Sequence, residues 1–349
     1  MSVEVRTFRH DTILTHRPYG VDVDADGWLW EGCGRNRLMG HRLGTGEIRD
    51  LVIPEMDDHV VYQVFAWQSR LVLTLGEAPF FLVYDTQTGK AQRCAIPSLH
   101  PIVWYGVKVG PHKLILYDRS ESTALILDSP EAQPRMIQCP FEGQVASGWY
   151  AEDGLVYSAV YDPARLVRFD PVAERFLDEI SVPDPEASLS GLYQHKGVLY
   201  LWSTSGGYFL PFDRTSGQWG ARIIAPDYRQ VFGFMGGGFT CGGKGYLCLS
   251  TFQHASKLDP KTGKIIIPDG PLTIDGEPPR FLDRLLVFDA ETQSFDYLVA
   301  PSQADGVPLL CYHWTDGVRF VVTGIVIPYG ADGKLGEHYG PWLVLEAGF

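Results

Sequence analysis

Short apolar runs recur along the chain, each opened by a tight turn: "ADGWLW" at Gly27, "WQSRLVL" at Arg70, "GPHKLIL" at Lys113, "AEDGLVY" at Gly154, "QHKGVLY" at Gly197, "GGKGYLCL" at Gly245 and "WTDGVRFVV" at Gly317. Successive intervals are 43, 43, 41, 43, 48 and 72 residues. A second signal alternates with the first. An apolar run ends in a turn, usually with Asp, and the strand that follows commonly ends in Pro: "HRLGTGEIRDLVIP" around Arg42, "YDTQTGKAQRCAIP" at Asp85, "LDSPEAQPRMIQCP" at Asp128, "FDPVAERFLDEISVP" at Asp170, "FDRTSGQWGARIIAP" at Asp213 and "FDAETQSFDYLVAP" at Asp289. In the first five units the second turn follows the first by 15 or 16 residues, so each unit holds two hairpins, or four strands.

Four antiparallel strands per repeat of this length predict a propeller blade, because an isolated four-stranded sheet leaves both faces wet and radial stacking covers them. Asp accepts hydrogen bonds from its own downstream backbone and Gly takes positive φ, which suits both residues to the turns. Pro suits the end of an outermost strand, where a missing N–H costs little. Seven first turns predict an all-β, seven-bladed β-propeller, a single domain over residues 1–349. Its ends, "VEVRTFRH" and "PWLVLEAGF", each supply one strand. The N- and C-terminal strands are therefore expected to share the last blade and close the ring. Two insertions, at about 253–284 and 325–341, are expected between second and third strands, rising over one face. "KLDPKTGKIIIP" within the first of them itself looks like a second hairpin, which leaves the register of the sixth blade open.

Composition agrees with many short strands: 13% aromatic residues, 38 Gly and 24 Pro, with 45% hydrophobic residues. A net charge of −13 argues against sequence-independent nucleic-acid binding, which needs a clustered basic surface. No apolar run of membrane-spanning length and no secretory pattern at the N-terminus occur, so the chain is expected to be soluble, cytoplasmic and monomeric, with no membrane partner. The six cysteines show no CxxC pair and are expected to be reduced and buried, although Cys241 and Cys248 flank one turn and could face each other as a disulfide.

In such a fold the loops joining second to third strands share a face with the loops joining blades, and ligand sites usually sit there. The loops assigned to that face carry His16, Arg17, Tyr19, Arg35, Asn36, Arg37, Asp57, Asp58, His59, His100, Trp104, Asp118, Arg119, Glu142, Tyr161, Arg165, Arg229, His254, Lys257, Glu337 and His338. His59, His100, His254 and Tyr161 are the candidate catalytic groups. Arg17, Tyr19, Arg35, Trp104, Arg165, Arg229 and His338 are the candidate substrate-binding groups. His112 and His195 fall in first-hairpin turns on the opposite face, and His41 takes a packing position. Taken singly, loop His and Arg often serve structural networks.

Arg pairs bidentately with carboxylates and aromatic rings stack on sugars, so this set suits an anionic, saccharide-like small molecule or oligosaccharide. His or Tyr could then abstract a proton next to a carboxylate neutralised by Arg or a cation, which is β-elimination; hydrolysis with His as acid or base is the other chemistry. A lyase or hydrolase is therefore the leading expectation, and a non-catalytic propeller binding a glycan or protein is the alternative. Motifs for nucleophile elbows, zinc peptidases, phosphate loops and dinucleotides are absent, and no cofactor is expected to be required, though a divalent cation (Mg, Ca or Mn) would be compatible. "VDVDADG" resembles part of a calcium loop but lacks the Glu at the twelfth position.

The stretch "RPYGVDVDADGWLWEGCGRNRLMGHRLGTGEI" resembles one repeat of the streptogramin B lyase group through Pro18, Gly20, Asp26, Gly27, Trp30, Asn36, Arg37, Thr45 and Gly46. "VYSAVYDPARLVRFDP" is similar to a blade of polysaccharide-lyase and rhamnosidase-type propellers, which use His, Tyr and Arg on anionic saccharides. These resemblances rest on turn and core residues and imply the fold. The first also implies a His and Glu pair with magnesium, for which Glu337 and His338 are the adjacent pair here.

Overall fold

The computed structural model describes residues 5–12, 14, 20–67, 69–119, 122–141, 143, 145–160, 164–185, 187, 189–203, 207–225, 238–248, 257–258, 265–266, 284–299, 306–328 and 340–348. The only helical turn among them is the 3-10 turn Pro54–Met56. The strands form seven four-stranded antiparallel blades in a propeller arrangement, and the chain divides into two compact units, residues 16–189 and residues 1–15 with 190–349.

The chain opens with β1 (Val5–His10). The first unit holds four blades: β2 (Val21–Val23), β3 (Trp28–Gly34), β4 (Arg37–Arg42) and β5 (Ile48–Val52); β6 (Gln63–Trp67), β7 (Arg70–Thr74), β8 (Phe80–Asp85) and β9 (Ala91–Ala95); β10 (Val103–Val109), β11 (Lys113–Asp118), β12 (Thr123–Leu127) and β13 (Arg135–Gln138); and β14 (Val145–Tyr150), β15 (Val156–Val160), β16 (Arg165–Asp170) and β17 (Arg175–Ser181). The second unit holds three. Its first blade is β18 (Leu189–His195), β19 (Val198–Ser203) and β20 (Tyr208–Asp213), with an outer strand in two pieces, β21 (Gln218–Trp219) and β22 (Ile223–Ile224). The next is β23 (Gly238–Cys241), β24 (Lys244–Cys248), β27 (Arg284–Asp289) and β28 (Ser294–Val299), with a separate hairpin, β25 (Lys257–Leu258) and β26 (Ile265–Ile266), in the segment between β24 and β27. The last is β29 (Gly306–Thr315), β30 (Phe320–Pro328) and β31 (Trp342–Ala347), completed by β1, whose Val5 faces Ala347 and whose His10 faces Trp342.

The turn chemistry explains where these strands begin and end. The Asp85 carboxylate accepts the N–H groups of Gln87 and Thr88 at 3.0 and 2.8 Å, Asp170 those of Val172 and Ala173 at 2.9 Å, and Asp213 that of Thr215 at 2.8 Å. These backbone donors hold the Asp85, Asp170 and Asp213 carboxyls below the usual carboxylate range. At the first turn Asp24, rather than Asp26, does this work: it accepts from the N–H groups of Asp26 and Trp28 at 3.0 and 2.9 Å and from the Trp30 indole at 2.7 Å. Outer strands β5, β9, β13, β17, β22 and β28 all stop two residues before Pro54, Pro97, Pro140, Pro183, Pro226 and Pro301.

Blades pack through the apolar faces of their inner strands. Between the second and third blades Val72, Leu114, Leu116, Leu125 and Leu127 are fully buried with Phe65 and Phe81 beside them. The inner strands crowd so closely there that a Cβ on Gly106 would come within 2.7 Å of both Leu116 and Phe65. The sixth-blade register left open by the sequence is settled: "KLDPKTGKIIIP" contributes β25 and β26, and the second hairpin of that blade is the one at Asp289. Cys33, Cys94, Cys139, Cys241 and Cys248 are free and buried. The disulfide fails on register, because Cys241 faces Lys244 across β23 and β24 while Cys248 lies opposite Leu285. No helix among the described residues is long and apolar enough to cross a membrane.

Candidate functional site

The loops between second and third strands and the loops leaving each blade lie at the same end, because their backbones are hydrogen-bonded to one another. In the first blade Asn36 N–H donates to His59 C=O at 2.9 Å and Ile53 N–H to Asn36 C=O at 2.8 Å. In the following three, Val103 N–H donates to Gly76 C=O, Cys139 N–H to Ser122 C=O and Ala164 N–H to Pro185 C=O, each at 2.9 Å. In the second unit Ala225 N–H repeats the bond to Gly207 C=O at 3.1 Å. Inner strands β10 and β14 bulge where they leave this end, between Val103 and Tyr105 and between Val145 and Ser147. Such bulges re-aim side chains and are common beside functional sites.

His59 sits half-buried at this end of the first unit, its ring edge-on to Phe80 with centroids 5.8 Å apart. Over Phe80 lies the Arg93 guanidinium, 4.6 Å from the ring centroid. Arg93 is in turn held by the Glu55 carbonyl at 2.8 Å and the Asp57 carboxylate at 2.6 Å. Arg35 forms an ion pair with Asp58 and also donates to the Asp58 carbonyl at 3.2 Å. Arg37 is clamped by Asp50, with Nε 2.7 Å from Oδ1, and this hydrogen bond raises its basicity further. The cluster is thus one imidazole on an aromatic ring, flanked by cations already balanced by carboxylates. His59 makes no polar side-chain contact with a described residue.

His100 is exposed on the loop leaving the second blade and likewise engages no described side chain. Trp104 lies at the bulge of β10. Arg165, at the start of β16, is paired with Glu179 at 2.6 Å, so much of its charge is spent on the neighbouring outer strand. Arg17, Tyr19, Tyr161, Arg229, His254 and His338 lie outside the described residues, as do the tips of both insertions and Glu337. The crevice at Asp118, Ser122 and Gly143 has no room for a water molecule. His41 is fully buried in β4, as its packing position requires.

Two groups escaped the sequence reading, one at this end and one towards the first-turn end of the inner strands. Arg93 belongs to outer strand β9 and reaches the Glu55–Asp57 turn only through the strand register, which no local pattern announces. Asp22, in the middle of inner strand β2, is buried, accepting the Ala66 N–H of β6 at 2.8 Å and the Lys108 ammonium of β10 at 2.7 Å. Burial raises its pKa and Lys108 pulls it back. The calcium-loop resemblance at "VDVDADG" has no support in this geometry, since Asp22 pairs with Lys108 and Asp24 caps the turn. Among the described residues no group of three or more His, Cys, Asp or Glu is placed to hold a metal ion. The adjacent pair named for the resemblance, Glu337 and His338, lies outside the described residues.

No protein-family model matches the chain, and no curated protein sequence matches it significantly. Solved structures do. The virginiamycin B lyase of Staphylococcus aureus is similar with a TM-score of 0.67 at 11% identity, covering 99% of this chain and 100% of that one. A streptogramin B lyase structure has the same score at 12% identity over 98% of each chain. A catalytically inactive histidine-to-alanine variant of the S. aureus enzyme with quinupristin also scores 0.67, at 10% identity, over 99% and 100% of the two chains. This chain therefore has the fold of the streptogramin B lyases along almost its whole length.

Proposed function

We propose that this protein is a lyase that opens a small polar or anionic substrate by β-elimination at the loop-bearing end of its blades. The carrying observation is the similarity to lyase structures over 98–99% of the chain, and it favours elimination over hydrolysis. In the reaction an imidazole takes a proton from the carbon next to a carbonyl or carboxylate. The electron pair forms C=C, the bond from the β-carbon to oxygen breaks, and the leaving oxygen collects a proton. His59 and His100 are the described bases for this, and Arg35 and Arg93 are the described cations near His59, each of which would exchange its Asp58 or Asp57 carboxylate for that of the substrate. His254, Tyr161, Arg17, Tyr19, Trp104, Arg165, Arg229 and His338 complete the set to be mutated.

Two substrate chemistries are to be tested: uronate-containing oligosaccharides, and quinupristin, the molecule present with the inactive lyase variant. Each yields a new conjugated double bond on elimination, read as ultraviolet absorbance. The expected result is product from one of them, lost at least tenfold in His59→Ala or His100→Ala. No product from either, with ligand binding unchanged in both variants, overturns the reading. A non-catalytic binding module is the second reading, favoured by the carboxylates that already balance Arg35, Arg37 and Arg93. It is supported by a ligand that binds in a His59-dependent way and is recovered intact.

A further inference from the structure

We infer that a groove on the outer rim of the fifth blade binds a neutral saccharide chain, at a site separate from the loop-bearing end. The groove comes from a break in the outer strand. Phe209 faces Ile223 and Phe212 faces Trp219, so two residues of β20 lie opposite three, Gly220, Ala221 and Arg222. Pro211 is one of the two; it lacks an N–H to offer the outer strand, and its carbonyl instead accepts the Gly220 N–H at 2.8 Å. Outer strands β5, β9, β13, β17 and β28 run unbroken.

The opening has a volume of about 510 Å³, lined by Tyr200, Pro211, Asp213, Gln218, Trp219 and Gln293. This lies in the range of small-ligand sites, roughly 300–1,000 Å³. Trp219, Tyr200 and Pro211 supply flat apolar surface of the kind on which the C–H face of a pyranose rests. Gln218 and Gln293 are exposed, and their amides engage no described residue. Each amide offers donors and an acceptor together, matching adjacent sugar hydroxyls. Gln293 is delivered from the sixth blade by a turn in which it takes φ 52° and whose Asp289 carboxylate accepts the Glu291 N–H at 3.0 Å.

Charge decides which saccharide. Asp213 already accepts from Thr215 N–H and from the Ser216 hydroxyl at 2.9 Å, and the Arg222 guanidinium lies 4.8 Å from the centroid of the Tyr208 ring. One anion and one cation leave the groove without net charge, which suits a neutral hexose chain better than a uronate.

The test is calorimetric titration of the full chain with maltohexaose, cellohexaose and mannohexaose. At least one should bind. Trp219→Ala should weaken it about tenfold, the effect of losing one stacking platform. Because Trp219 also packs on Phe212 at 4.9 Å, the double variant Gln218→Ala/Gln293→Ala supplies the second arm, with binding weakened at least threefold and an unchanged melting temperature. His59→Ala/His100→Ala should bind the hexasaccharide as the parent does. No binding of any of the three, undiminished binding in the double-glutamine variant, or loss of binding in the double-histidine variant each overturns the proposal. None of these outcomes bears on whether the elimination assay succeeds.

Discussion

Residues 16–189 and residues 190–349 build blades of the same topology from different materials. In the first unit the packing between the second and third blades is dominated by Val72, Leu114, Leu116, Leu125 and Leu127. In the second, the fifth and sixth blades pack through Tyr193, Trp202, Phe209 and Phe288, with Tyr200, Phe295 and Tyr297 against them. Phe288 alone meets four rings: Phe209 at 4.7 Å, Phe295 at 5.0 Å, Tyr200 at 5.4 Å and Tyr193 edge-on at 5.8 Å. Branched aliphatics fill space with little directional demand, and the blades they join keep a period near 43 residues. Rings bind in particular geometries, so the second unit concentrates its packing in a few positions. The inner strands differ in the same sense. Ala66 N–H is capped by the buried Asp22 carboxylate with its Lys108 partner, whereas Gln194 N–H is capped by the neutral Thr240 hydroxyl at 3.0 Å.

The largest effect should come from the ring cluster. Phe288→Ala should cost about 4–5 kcal/mol in urea unfolding, and Leu125→Ala about 3 kcal/mol. Equal losses would erase the contrast between the cores. Next is Lys108→Met, which strands Asp22 and should cost about 3 kcal/mol at neutral pH. Burial raises the Asp22 pKa, so the folded variant takes up a proton more readily than the unfolded chain. The deficit should therefore shrink as pH falls through that raised pKa, while the companion Thr240→Val, near 1 kcal/mol, stays flat with pH. A Lys108→Met deficit that does not change with pH would show that the pair is not electrostatic in effect.

The smallest effect concerns His313, whose ring stacks on Phe239 at 4.5 Å and whose Nδ1 has no hydrogen-bond partner among the described residues. Enclosure of the ring lowers its pKa to about 4 from an ordinary 6.5. The folded state thus binds a proton less readily than the unfolded one, and stability should fall as pH drops from 6.5 towards 4. After discounting for the partial exposure of the residue, the loss is about 2 kcal/mol at the acid end, and His313→Phe should remove it. An unchanged acid limb in thermal melts of His313→Phe would assign that limb to other groups.

The turns were the most legible part of this chain. Asp85, Asp170, Asp213 and Asp289 each bond N–H groups two or three residues ahead, and a signal confined to four residues survives any tertiary context. Asp22 shows where such reading stops. In "VDV" the alternation places the valines inward, yet Asp22 is buried and both valines keep partial exposure, because Ala66 and Lys108, 44 and 86 residues away, compensate the carboxylate. The candidate site divides in the same way. His59 and Arg35 were named as candidates from their loops alone. Arg93 was not, since it reaches the Glu55–Asp57 turn only through the register of β8 and β9, and the Glu179 that pairs with Arg165 across the ladder was equally hidden.

The amino-acid sequence by itself determined the number of blades, their two-hairpin plan and the closure by β1 and β31, since turn residues and strand period act over short stretches of chain. Only the tertiary structure decided which charges are spent. Whether an Arg, Lys or Asp meets a partner depends on strand register and on which blade lies beside it. That is why Arg35, Arg37, Arg93 and Arg165 are paired within the fold, while the His59 and His100 imidazoles and the Gln218 and Gln293 amides of the rim groove meet no polar partner among the described residues.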